Sequence, residues 1–149
     1  MNVVKLLLLS TILIILGCVS NQADPMNAEY QVRGFAHCNI VEPDVFELLE
    51  IDQLKEQQSP LKYVAYGLLE EHRVFLVAQG QKPTLGYYHQ VTNFLMEGDY
   101  WQAVVIDMKP EPGMIMAQVI SSPCTLIAVP KTVKGFTLLD QQGTEIKRW

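Results

Sequence analysis

After residue 60 most apolar runs are about four to nine residues long, rich in Val, Ile, Phe and Tyr, and closed off by Gly, Pro or Asp. That is the chemistry of strands. Residues 73–79 hold five consecutive apolar residues between polar ends, as a central strand covered on both faces requires. Residues 86–96 and 100–108 flank Glu97-Gly98-Asp99, a loop suited to a hairpin. In the second of these, Trp101, Ala103 and Val105 share one face, and Val104 and Ile106 the other. The stretch from Lys109 to Gly113 must leave the sheet, because Pro110 and Pro112 remove two ladder donors. Residues 114–121 read as a strand re-entering it, Pro123 as its break, and 124–129 as the strand that runs on to Pro130. Residues 136–139 and 144–149 form a closing hairpin with Gly143 in its turn.

The first half is read with less pattern to go on. Residues 30–38 and 62–69 are predicted strands. Residues 45–58 fit one amphipathic helix, with Val45, Leu48, Leu49 and Leu54 near one stripe. They also fit a strand over 45–49 followed by a two-turn helix capped by Asp52 and ending before Pro60, and this second reading is adopted. About nine strands and one short helix predict an all-β domain, a small antiparallel sandwich or partly open barrel, over residues 30–149.

Hydrophobic residues at 49% against 18% charged suit a chain that folds. Eleven Lys plus Arg against 16 Asp plus Glu argue against nucleic-acid binding, which needs a basic face. Only the N-terminus is apolar and charge-free over a long run, so a polytopic membrane protein is excluded. Lys5 ends a short positive region, and residues 6–16 are apolar apart from Ser10 and Thr11. As a helix this run spans roughly 16 Å, half of a bilayer core, and it reads as a secretory signal.

Ile15-Leu16-Gly17-Cys18 resembles a bacterial lipobox. The resemblance implies cleavage before Cys18, leaving 1–17 as signal peptide, a diacylglycerol on the Cys18 thiol and an acyl chain such as palmitate on its amine. The alternative is an ordinary signal peptide with a chance cysteine. Several acyl chains anchor stably, at ~0.8 kcal/mol per buried methylene. Val19 stands where an Asp would favour inner-membrane retention, which points to the outer membrane, facing the periplasm. Residues 18–29 then form a polar tether.

With Cys18 used for lipid, Cys38 and Cys124 remain, an even number in an oxidising compartment. They are expected to form a disulfide worth roughly 4 to 5 kcal/mol; two buried free thiols are the alternative. Catalytic signatures are sparse. There is no G-x-S-x-G elbow, and Ser121 and Ser122 read as strand-end polar residues. Glu70, Glu71, Glu97 and Asp99 sit at turns, where solvated charge is the default. His37, His72 and His89 lack metal-ligand spacing, so no metal site, cofactor or enzymatic activity is expected. Core packing accounts for Met108, Met114 and Met116. Tyr87, Tyr88, Tyr100 and Trp101 are expected near one another across a hairpin, as packing or as a peptide platform.

One series of motifs is more specific. A buried strand runs into Gly80-Gln81-Lys82-Pro83-Thr84-Leu85-Gly86-Tyr87. A hairpin, Pro110-Glu111-Pro112-Gly113 and a strand-like stretch ending at Ser122-Pro123 follow, up to Val129-Pro130-Lys131. This order, over 74–131, resembles the PrcB C-terminal-like domain, named for a lipoprotein component of a surface protease complex. In that family a G-x-K-P-T-x-G-Y turn and a P-x-P-G loop precede a strand ending in a Pro-aromatic pair. Leu85 departs from the usual Gly, and Cys124 from the usual aromatic, which suggests that the disulfide belongs to this branch.

The resemblance implies a non-catalytic extracytoplasmic domain that works within protein assemblies. Lys82, Pro83, Thr84, Gly86 and Tyr87, with Pro110, Pro112 and Gly113, are then the candidate contacts for an unidentified protein partner. The same turn, residues 82–87, is similar to the N-P-T-T-G-Y loop of chagasin-type cysteine protease inhibitors, whose companion loops are missing here. A small-ligand binder or enzyme is the third reading. Without any ligand, Pro83 fixes φ, Thr84 bonds to backbone and Gly86 permits an unusual conformation, so the turn also serves to hold two strands in register.

Overall fold

Val74 to Ala78 are all buried, which a strand achieves only when both of its faces are covered. The computed structural model shows two different layers doing so. It describes residues 30–50, 52 and 60–149. The signal peptide, Cys18, the tether and, beyond Asp52, the helix read between Asp52 and Pro60 lie outside the described residues.

Eight strands and one helix are described: β1 (Gln31–Phe35), β2 (Val45–Leu48), α1 (Pro60–Leu69), β3 (His72–Ala78), β4 (Tyr88–Glu97), β5 (Tyr100–Met108), β6 (Cys124–Pro130), β7 (Gly135–Leu139) and β8 (Glu145–Arg148). One sheet has the order β1-β6-β3-β2 and the other β4-β5-β7-β8. Among the described residues the two sheets do not close into a barrel, so the architecture is a sandwich. The first sheet is antiparallel throughout. The second is mixed, because β5 and β7 run parallel with Trp101 opposite Phe136, a pairing that strand patterns alone do not reveal.

Alternate residues of β3 and β6 enter separate cores. Phe75, Val77, Ile127 and Val129 face the second sheet, where they meet Trp101, Ala103, Val105, Phe136 and Leu138. Phe75 stacks on Phe136 at 4.6 Å between ring centroids, and Trp149 closes on both. Val74, Leu76, Ala78, Leu126 and Ala128 face the other way, onto Leu61, Ala65 and Leu68 of α1. The inner sheet is therefore the middle of three layers.

Two predicted strands are corrected. Residues 62–69 are helical: Leu61, Ala65 and Leu68 recur at i, i+4 and i+7 and are buried, while Tyr63 is exposed on the far side. The strand propensity of Tyr63, Val64 and Tyr66 is overridden by this stripe and by Pro60, whose ring suits a first helical turn. Residues 114–120 form no strand; only Ser121 and Ser122 make isolated bridges, to Lys82 and His37. Within the described residues no helix is long and apolar enough to cross a membrane.

Candidate functional site

Strand register gathers three loops at one end of the sandwich. Phe35, Cys124, Ala78 and Val45 are successive partners across the inner sheet, and Tyr88 pairs with Met108 in the other. The connections 36–44, 79–87 and 109–123 all leave from this row. Gln79, 4% exposed, joins the sheets there: its Nε2 donates to the Tyr88 carbonyl at 2.8 Å and to Asp107 Oδ1 at 3.2 Å.

The loops are tied to one another. Lys82 and Ser121 exchange both backbone hydrogen bonds, at 2.8 and 2.9 Å, and Ser121 Oγ donates to the Thr84 carbonyl at 2.6 Å. Ser122 Oγ accepts from the Cys38 and Asn39 amides, and Gln81 N–H donates to the Val41 carbonyl. Cys38 and Cys124 form a disulfide across the same junction, with Cα atoms 6.0 Å apart. Ser121 and Ser122 are thus fasteners between loops rather than strand ends.

Gly80 and Gly86 sit where no side chain fits. A Cβ on Gly80 would lie 2.7 Å from the Pro43 backbone nitrogen. One on Gly86 (φ +92°) would lie 2.9 Å from Pro110 Cγ and 2.6 Å from Met116 Cε. Gly86 and Pro110, two of the residues singled out in the sequence, are therefore in register with each other. Pro112 and Gly113 (φ +86°) occupy the middle of a turn closed by Met114 N–H on the Glu111 carbonyl. Pro83, Pro112 and Gly113 are exposed; Lys82, Thr84, Gly86, Tyr87 and Pro110 are half-buried. Lys82 Nζ lies over the Tyr87 ring at 5.7 Å.

The largest exposures lie elsewhere in these loops. Of ten large apolar side chains exposed among the described residues, six belong to this end: Val41, Tyr88, Met114, Ile115, Val119 and Ile120, with Ile115 at 99%. Met114 is therefore not core packing, whereas Met116 packs on Gly86. The sequence signal was present in the apolar run 114–120 between prolines, and strand propensity disguised it. The expected aromatic grouping does not form: Tyr88 opens β4 against Met108, while Tyr100 and Trp101 pair with Glu97 and Met96 at the opposite end of the hairpin.

Beside this surface lies a polar relay from four separate places in the chain, buried at Gln79, His89 and Thr125 and exposed at Asp107. His89 on β4 has Nδ1 3.3 Å from Thr125 Oγ1 on β6 and Nε2 3.3 Å from Asp107 Oδ1 on β5, which Gln79 also contacts. Burial holds the His89 pKa below its ordinary 6.5, with Lys82 acting in the same direction and Asp107 and Asp44 against it. The neutral ring then donates from Nε2 to Asp107 and accepts the Thr125 hydroxyl proton at Nδ1. Thr125 is 1% exposed, so the relay clamps sheet to sheet and its hydroxyl is sealed from solvent. Within the described residues no group of three or more His, Cys, Asp or Glu is placed to hold a metal ion.

The unit that carries both outer loops begins and ends on neighbouring strands, since Arg73 of β3 pairs with Val129 of β6. Residues 73–130 match the PrcB C-terminal family model. The match coincides, within a residue at each end, with the stretch whose motifs resemble that family. No curated protein and no solved structure matches the chain. The matched stretch comprises β3 to β6 with the turn at 79–87 and the loop at 109–123. β1, β2, α1, β7 and β8 lie outside it, and the disulfide joins Cys124 within the unit to Cys38 outside.

Proposed function

We propose that this chain is a lipoprotein of the bacterial envelope whose β domain docks a protein partner through the fastened loop end, with no catalytic step of its own. The observation that carries the reading is the concentration of exposed Val41, Met114, Ile115, Val119 and Ile120 on loops held by a disulfide and paired backbone. Scattered surface apolar residues are ordinary, but their concentration on braced loops at one end of the sandwich is the mark of an interface. Bracing matters because a surface ordered in advance loses less entropy on binding. The PrcB C-terminal match at 73–130 supports a setting in a protease-associated surface complex.

Two experiments test the reading. Incorporation of labelled palmitate, and its loss in Cys18→Ser, tests the anchor; label-free wild-type protein refutes it. Ile115→Ser with Ile120→Ser tests the docking surface: both side chains are solvent-facing, so the variant keeps its melting temperature while losing its captured partner. An undiminished yield refutes the surface.

The exposed Pro83 at the tip of a turn flanked by two other loops also suits a wedge of the chagasin kind. Titration of a papain-like protease separates this reading, which requires stoichiometric loss of rate.

A further inference from the structure

Next to the loop surface, a cleft of about 460 Å³ takes its walls from both sheets. Phe46, Val105 and Ile146 supply apolar wall, while Asp44, Asp107 and Asp140 bring three carboxylates; among the described residues no Lys or Arg lines it. Each carboxylate keeps acceptor capacity. Asp107 uses only Oδ1, toward Gln79 and His89, and its side chain is 68% exposed. Asp140 uses only Oδ1, toward the Gln142 and Thr144 amides. Asp44 makes no hydrogen bond or ion pair among the described residues. His89, in the cleft wall, adds no cation of its own while its ring is neutral.

An apolar wall beneath several unneutralised carboxylates matches one chemistry: a cation at the end of a hydrocarbon stem. Asp44 follows the Val41–Pro43 stretch fastened to Gly80 and Gln81, and His89 follows Tyr88, so the cleft is continuous with the docking surface. We infer that the cleft receives a lysine or arginine side chain of the protein partner, its stem against Phe46, Val105 and Ile146 and its charge among Asp44, Asp107 and Asp140. This deepens the docking reading and depends on it for the occupant. The partner's contact segment thus pairs apolar residues for the loops with a basic residue beside them.

The test titrates the full chain with Nα-acetyl-arginine amide, and with Nα-acetyl-norleucine amide as the neutral control, following the Val105 and Ile146 methyl resonances. The expected result is saturable shifts with the arginine compound only, weakened about tenfold or more in Asp44→Asn/Asp107→Asn. Asn tolerates the left-handed backbone of Asp44 (φ +56°), and at position 107 it retains an acceptor for Gln79, so the variant should fold. Unchanged methyl resonances of Leu126 and Ala128, buried on the far side of the inner sheet, confirm this, and Asp44→Asn alone is the second variant. Equal shifts from the norleucine compound, no saturation, or affinity unchanged in both variants overturns the inference. Ile115→Ser/Ile120→Ser leaves this titration intact, so failure of the docking surface and failure of the cleft are told apart.

Discussion

Reducing the Cys38–Cys124 disulfide removes a constraint that closes a loop of 86 residues, and the chain-entropy relation converts that length into about 4.6 kcal/mol of stability. The cysteines are 5% and 2% exposed; reduction removes no heavy atom from the core, and the two sulfurs part only to van der Waals contact, so no cavity opens. Nearly all of the effect therefore falls on the unfolded chain. A domain of about 120 residues unfolds with an entropy of about 2.1 cal/mol/K per residue, so the melting temperature should drop by about 18 °C. The urea midpoint should fall by roughly 2 M. The assay is urea unfolding with and without a phosphine reductant, read by far-ultraviolet circular dichroism and by fluorescence of Trp101 and Trp149. Cys38→Ala/Cys124→Ala should cost a further 1 to 3 kcal/mol, roughly, for the lost sulfurs. Oxidised and reduced proteins agreeing within about 1 kcal/mol would refute the reasoning, because a long closed loop cannot then be limiting the denatured state.

Gly86→Ala places a Cβ against Pro110 and Met116 at φ +92°; Met116 can swing away but Pro110 cannot. A loss of about 2 to 4 kcal/mol, or detachment of 109–120 seen as faster amide exchange there, is expected. Leu68→Ala, on the buried side of α1, should cost about 2 to 4 kcal/mol, and Tyr63→Ala, on its exposed side, under about 0.5 kcal/mol, by urea unfolding. The depressed His89 pKa means that the unfolded chain takes up the proton first as the pH falls. The His89 contribution is thus complete above pH 6.5 and declines below it, by at most about 1.4 kcal/mol per pH unit. His89→Gln should flatten this limb of the melting-temperature profile, and an unchanged slope would exclude His89 as its source.

The legibility of the fold follows from how local each signal is. β3 and β6 were readable because continuous apolar runs between Pro, Gly or charged ends have few other outcomes. β5 was readable from a short Val- and Ile-rich apolar run beside the three-residue loop Glu97-Gly98-Asp99, with Trp101, Ala103 and Val105 sharing one face. The helix at Leu61–Leu68 was hidden because Tyr and Val favour strands locally, and only its burial against β3 and β6 decides the matter. Residues 114–120 carried a strand's composition, yet the turn through Pro112 and Gly113 and the bridge at Ser121 hold them on the outside of the sheets. The candidate turn 82–87 was visible as a motif. Its attachment to Pro110, Met116 and Ser121 was not, because contacts across more than twenty residues leave no local trace. The His89 relay and the cleft of Asp44, Asp107 and Asp140 were out of reach for the same reason.

The most direct measurement of the central claim is photo-crosslinking in intact cells, with a benzophenone side chain placed singly at Ile115, Val119, Tyr63 or Leu95. These four positions are exposed to comparable or greater degrees, and only the first two lie on the fastened loops. A docking surface there yields a discrete adduct of the same partner from Ile115 and Val119 and none from Tyr63 on α1 or Leu95 on β4. Adducts from all four positions alike, or from Tyr63 and Leu95 alone, contradict it.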